Sequence, residues 1–355
     1  MKSRIAIIVV ILLFSCGRWK VTKLRSHNVC TINNGTDSGN VMLKYDEDGL
    51  LEISFYIHFY NNNIYAIDNI LKRIQKFKMD GTPRLVIGDK KDKPSKTGGV
   101  RYSYFNFSII GSIAIDSNEN IYVQNRFAAS KRHRRSRVKK DMDYSPSYIL
   151  VFNKKGNLLY TLGQRGRSDI PFYYIDNIEV DRLNRLFVVS RSFDTWSVFR
   201  FTDRKRDFRI NVGEIDFKEA KGDDFYIGRI ENIDVFHNGE SLLVSVAYYH
   251  ELEFKYRKIY EYSIKGEGIK QAIIDIPEPK NVLFTSIEDK LLYLWDVDGK
   301  KVKFIICNYS GDIINNVLIK FPKRNRHYES IQADKLGNIY SYHVEKDEIK
   351  IFEWR

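Results

Sequence analysis

The chain is poor in the residues that build cross-linked and metal-clustered frameworks. It has 3 cysteines, 7 prolines and 4 methionines in 355 residues, and its longest apolar run is about ten residues. With no Cys-x-x-Cys pair and no Cys/His cluster, neither a disulfide scaffold nor a cysteine-ligated metal site has support. Ten residues rise about 15 Å as a helix, half of what a hydrocarbon core of about 30 Å requires. No segment shows a helical stripe, which excludes a bundle. Gly-x-Ser-x-Gly, His-Glu-x-x-His and the phosphate-binding glycine loop are missing, so the common hydrolase and nucleotide-binding motifs have no place here.

What is abundant is strand-forming. Hydrophobic residues make up 43% of the chain and aromatics 14%, mostly Tyr and Phe, a composition suited to pleated, half-buried surfaces. Residues 61–88 are the organising unit. An Asn-rich turn leads to Ile64-Tyr65-Ala66-Ile67; a polar break at Asp68-Asn69 precedes Arg73-Ile74-Gln75-Lys76-Phe77; and Asp80-Gly81 hands over to Arg84-Leu85-Val86-Ile87. Period-two alternation cut by Asp-Gly and Asn-rich turns is the pattern of an antiparallel meander. One meander cannot bury both its faces, so copies must stack.

The unit returns in residues 112–163, 177–213, 232–276, 282–321 and 330–353. The sixth copy has three strands before the chain stops. An orphan strand at residues 41–45 is the expected fourth, pairing beside Lys350, because a ring closed by a strand from the far terminus leaves no open edge. The expectation is an all-β, six-bladed β-propeller with four-stranded antiparallel blades. The run from Ile113 to Gly163, with Ile-Ala-Ile-Asp, Asn-Glu-Asn-Ile-Tyr-Val and Ile-Leu-Val-Phe-Asn-Lys-Lys-Gly-Asn-Leu-Leu-Tyr-Thr-Leu-Gly, resembles NHL-type propeller repeats. That likeness implies fold far better than activity.

The first residues look like an export signal. Lys2 and Arg4 precede an apolar run over residues 5–14, closed by Leu13-Phe14-Ser15-Cys16, with a small residue before a cysteine. This resembles the lipobox of bacterial lipoproteins, in relaxed forms familiar from spirochaetes and Bacteroidetes, and the whole resembles a propeller lipoprotein class from such sources. The resemblance implies acylation of Cys16 and a place in the cell envelope, on the outer membrane or the periplasmic face; a plainly cleaved signal and an uncleaved anchor are the alternatives. The expected organisation is a signal over residues 1–16, a flexible tether over 17–40, and a propeller over 41–355 with a basic insertion at 126–147. Cys30 and Cys307 remain, as a possible bridge or as two unpaired residues.

Two places have the residues for chemistry or binding. The insertion carries Arg126, Lys131, Arg132, Arg134, Arg135, Arg137, Lys139 and Lys140 with no acid from 126 to 140, eight of the positive charges behind a net charge of +13. Such a run repels itself and attracts anionic surfaces over about a Debye length. Outside the cytosol its partners would be lipid headgroups, phosphorylated glycans or an acidic protein; the alternative is a solvated loop without a partner. Only Phe127 interleaves with the charges, so nucleic acid is not the expected ligand.

The second place is the mouth of the central channel. The residue before each inner strand is expected to face it, which gives Ser112, Asn177, Asn232 and Ser330, with His58 on the first inner strand. Asp176 and Glu231 precede the two asparagines, and converging carboxylates and carbonyls suit Ca²⁺. Six-bladed calcium-dependent lactonases use a site of that kind, although their ligands find no residue-by-residue match here; turn capping is the commoner reason for Asn at strand starts. Tyr248 to Arg257 is expected to form an extended hairpin. The reading is a non-enzymatic, monomeric, membrane-anchored scaffold for a protein or anionic polymer, without cofactor. Its alternative is a lactonase-like envelope hydrolase or lyase with a metal at the channel mouth.

Overall fold

The computed structural model describes residues 21–89, 99–126, 147–163, 172, 174–192, 195–212, 217–266, 268–277, 281–287, 291–298, 301–321, 329–334 and 336–355. Cys16 and residues 127–146 lie outside them. Six antiparallel sheets form a six-bladed β-propeller, each blade running outward from an inner strand. Blade 1 holds Phe55–Tyr60, Asn63–Asp68, Arg73–Lys78 and Pro83–Gly88. Blade 2 holds Ile109–Ile115, Ile121–Arg126, Ser147–Phe152 and Leu158–Leu162. Blade 3 holds Tyr174–Val180, Leu186–Arg191, Trp196–Thr202 and Lys205–Asn211. Blade 4 holds Asp224–Val235, Ser241–His250, Glu253–Ser263 and Gly268–Ile276. Blade 5 holds Val282–Ile287, Leu291–Asp298, Lys301–Asn308 and Ile313–Lys320.

Blade 6 supplies three strands of its own, Glu329–Ala333, Ile339–Glu345 and Glu348–Trp354. Its fourth comes from the other end of the chain, as expected, but from a different segment. Ser26–Asn33 pairs antiparallel with Glu348–Trp354, with Thr31 opposite Lys350. Eight residues match the seven-residue strand, and Cys30 and Ile32 alternate into the core. Residues 41–45 close the ring another way: Val41 and Leu43 are buried in the cluster shared by blades 1 and 6. Their backbone is held at Val41 N by Asn33 O at 2.9 Å, at Met42 N by Asp68 at 2.9 Å and at Leu43 N by Asn34 at 2.8 Å, while Lys44–Tyr45 pairs antiparallel with Leu51–Glu52. Much of the expected tether is therefore folded, since Val21–Lys23 also adds a parallel fifth strand to blade 5.

Buried Arg73 ties this crossover down. Its guanidinium donates to the carbonyls of Thr36, Gly35, Asp37 and Asn40 and stands 3.7 Å from Asp68. A buried arginine costs much desolvation unless its donors are used, and here four carbonyls of one loop accept them.

The turns explain the repeat seen in the sequence. In residues 46–50, 116–120, 153–157, 181–185, 308–312 and 334–338, the first Asp or Asn accepts from the third and fifth backbone amides at 2.8–3.0 Å. The fourth residue of each loop has φ between 62° and 88°, which is why it is Gly four times, since Gly adopts that region without a Cβ clash.

Candidate functional site

The mouth of the central channel was the second expected place, and its geometry starts from bulges in the inner strands. In blades 2, 3, 4 and 5 a bulge interrupts the ladder, at Ile110/Ile113, Ile175/Asn177, Ile230/Asn232 and Leu283/Thr285. An extra residue there bends the strand and turns side chains aside. Ser112, Asn177 and Asn232 sit at these bulges, inside the strands and not ahead of them; Ser330 is likewise within its strand, opposite Tyr342.

The polar atoms of Ser112 and Asn177 are used locally. Ser112 N and Oγ both donate to Gln124 Oε1 at 3.0 Å, and Gln124 Nε2 donates to Ile175 O at 3.0 Å, tying blade 2 to blade 3. Asn177 donates to Glu179 at 3.1 Å. The carboxylates do not converge: Glu231 turns to Arg257, with nitrogen-to-oxygen distances of 2.5 and 3.1 Å, and Arg257 also donates to Asn281 O. Burial raises the Asp176 carboxyl, with Arg191 and Arg126 pulling it back. Among the described residues no three His, Cys, Asp or Glu side chains gather as a metal site. This donor set does not fit Ca²⁺, which takes six to eight oxygens.

A different position on the inner strands faces the axis. His58, Ala114, Glu179, Asp234, Ser286 and Gln332 pair with Tyr65, Tyr122, Phe187, Leu243, Leu292 and Tyr340 of the second strands, one equivalent place in six blades. Three of them reach the next blade. Gln332 donates to Ile57 O, Glu179 accepts from Val235 N at 3.3 Å, and Asp234 accepts from Ser286 N at 2.9 Å and Ser286 Oγ at 2.5 Å. Tyr56 adds a bond to Gly111 O between blades 1 and 2. A cavity of about 260 Å³ lies at the turn end of the axis, lined by His58, Ala114, Glu179, His237, Asp334 and apolar neighbours. Of the five expected channel residues, His58 alone lines it.

The rim carries features the sequence did not single out. On the outer strand of blade 3 and the turn before it, Arg204, Lys205, Arg206 and Arg209 are exposed. Arg200 is paired with Asp207 at 3.0 Å, and the Arg204 guanidinium lies 4.4 Å from the Tyr160 ring of blade 2. The cue was the segment Asp203-Arg-Lys-Arg-Asp-Phe-Arg209, which has the look of an ordinary edge strand guarded by cations.

Blade 4 is longer than its neighbours. Its first three strands run 12, 10 and 11 residues, and Lys218–Lys221 adds a strand beside the first. The expected hairpin is present, closed by Glu251 and Leu252 at φ 50° and 70°. On one face Glu219 accepts from Lys258 at 2.5 Å, Tyr256 at 2.8 Å and Tyr260 at 3.2 Å. Burial raises the Glu219 carboxyl, but these donors outweigh it and leave it below the usual range. Burial pushes the Tyr248 hydroxyl, 2.5 Å from Tyr260 Oη, up to about 12.

The fold defines a six-bladed β-propeller whose centre is structural in its polar bonding. No family model matches the chain, and no curated protein does. Solved structures do resemble it. A Dos1 propeller is 10% identical over 94% of this chain and 95% of that one, with a TM-score of 0.43. A luciferin-regenerating enzyme is 9% identical over 93% and 95%, with a TM-score of 0.45. A gluconolactonase from Xanthomonas campestris is 9% identical over 94% and 90%, with a TM-score of 0.44.

Proposed function

We propose that the chain is a lipid-anchored propeller of the cell envelope that acts as a non-enzymatic scaffold, without a cofactor, binding an anionic polymer or an acidic protein on its rim. The observation that carries the reading is the exposed cationic strip of Arg204, Lys205, Arg206 and Arg209 on blade 3. In a six-bladed ring blade 3 stands across the axis from blade 6, which receives the N-terminal strand.

Anchoring sharpens this. Only residues 17–20 separate Cys16 from the first strand residue, Val21, and that stretch spans at most about 18 Å when extended. Acylated Cys16 would hold the rim of blade 5 close to the bilayer, leaving blades 2 and 3 on the far side. The cationic strip would then face away from the anchoring membrane, toward a soluble or opposing anionic partner. Its attraction is screened beyond about 8–10 Å at physiological salt.

Acyl labelling tests the anchor: wild type should incorporate label and Cys16→Ala should not. Heparin as a model polyanion tests the strip. Arg204→Ser, Lys205→Ser and Arg209→Ser together should weaken binding at least tenfold and flatten its salt dependence. Binding unchanged in the triple variant would remove blade 3 from the function.

A further inference from the structure

The loop end of blade 4 carries a second surface, opposite in character to the cationic strip. Its long strands carry the sheet beyond the inner ladder. The face that bears Tyr226, Tyr248 and Tyr256 is closed, by Glu219 and by the cluster shared with blade 3. Lys221 completes that closure with its ammonium 3.9 Å from the Tyr256 ring centroid.

The other face is open. Ile227 pairs with Tyr249 and Tyr249 with Phe254, so their side chains stand on one side, and Phe225, two residues before Ile227, joins them. Phe225 is 51% exposed, Ile227 52% and Leu252, in the hairpin turn, 85%. Isolated exposed apolar residues are ordinary, but a group of them on one projecting sheet marks an interaction surface.

Charge identifies the occupant. The two adjoining turns carry Asp223, Asp224, Glu251 and Glu253 around Leu252 and Phe225. Of the cations nearby, Lys255 bonds to Glu253 at 2.8 Å, His250 approaches Asp224 at 3.8 Å, and Arg229 lies with its guanidinium 5.4 Å from the Tyr249 ring. An acidic rim around an apolar centre, on a chain of net charge +13, selects a partner of positive charge with apolar side chains.

We infer that the projecting sheet of blade 4 docks a basic, partly apolar segment of a protein partner. The inference rests on the scaffold reading but uses a different surface from the cationic strip. The test is fluorescence anisotropy with a labelled peptide of Lys, Leu and Ser, and a counterpart with Glu in place of Lys. The Lys peptide should bind, and Leu252→Ser with Phe225→Ser should weaken it about tenfold, as loss of central apolar anchors does. Glu251→Gln with Glu253→Gln should weaken it at low salt and flatten its salt dependence. Both variants change exposed side chains, so an unchanged melting temperature and unchanged heparin binding should accompany the loss.

Equal binding of the two peptides, or Lys-peptide binding that ignores all four substitutions, overturns the inference. So does attachment to neutral phosphatidylcholine vesicles that is lost with Leu252→Ser, which would make the tip a membrane wedge. Heparin binding that fails while the peptide binds would sink the proposal for blade 3 and leave this one standing.

Discussion

The axis of the ring and the loop end of blade 4 are built from the same residue types and use them oppositely. Around the axis, polar side chains on the inner strands bond to the next blade: Gln332 to Ile57, Glu179 to Val235, Asp234 to Ser286. In blade 4 the phenols and carboxylates close one face of a projecting sheet, while Phe225, Ile227 and Leu252 stay in water. Polar side chains at the centre are therefore a poor guide to chemistry in this molecule, because inter-blade hydrogen bonds engage Glu179, Asp234 and Gln332. Exposed apolar area, which folding does not require, is the better guide.

The largest effect should come from the crossover that locks the ring. Arg73→Met removes four carbonyl contacts and leaves buried Asp68 without its cation, so unfolding free energy should fall by about 3–5 kcal/mol. Urea denaturation measures it. Adding Asp68→Asn should recover part of the loss; a single-variant cost under about 1 kcal/mol would mean that the crossover does not hold the ring. Asp234→Ala comes next. It leaves Ser286 N, a buried donor, without its carboxylate, a loss of about 1–3 kcal/mol. A smaller loss would sever the comparison at its first term, since the axis would then hold polar groups that the fold does not need.

A third effect depends on pH. Glu345 receives Lys350 at 2.7 Å and His343 at 2.9 Å in blade 6. The Lys350 hydrogen bond foremost depresses its carboxyl to about 2 from 4.5. A folded value below the unfolded one means that the carboxylate stabilises the fold above pH 4.5, and that this contribution fades as pH falls toward 2. The difference should be about 1–2 kcal/mol after allowance for solvent screening. Glu345→Gln should lose it at pH 7 and show a flatter stability profile between pH 5 and 2. Asp68 works in the opposite sense: burial raises its carboxyl, so its cost is relieved on acidification.

Much of the ring was legible in the sequence. Alternating strands mark six units, and Asp-x-x-Gly-x or Asn-x-x-Gly-x turns punctuate blades 2, 5 and 6, because both patterns follow from local backbone geometry. The closing strand was not legible, because Ser26, His27, Asn28 and Asn33 put polar residues on its open side and only Cys30 and Ile32 face inward. Residues 41–45 looked more like a strand because their apolar side chains are not interrupted by turn residues, yet Val41 and Leu43 wedge into the core and only Lys44–Tyr45 pairs, with Leu51–Glu52. The axial positions Ala114, Glu179, Asp234 and Gln332 lie two residues beyond the expected Ser112, Asn177, Asn232 and Ser330, nearer the turn end where the cavity sits. A step of two keeps the same strand face, so alternation alone does not tell the two levels apart.

The smallest effect sharpens the other half of the comparison. Leu252→Ser alters a residue that is 85% exposed in a two-residue turn, so stability should move by no more than about 0.5 kcal/mol. Tyr256→Phe, by contrast, removes a bond to Glu219 at 2.8 Å on the closed face and should cost about 1 kcal/mol. Urea midpoints for the two variants read the difference directly. If Leu252→Ser destabilises as much as Tyr256→Phe, the tip is packed as part of the fold and has no surface to spare. If only Tyr256→Phe does, then the apolar tip contributes nothing to folding and its side chains are free to serve contact with a partner.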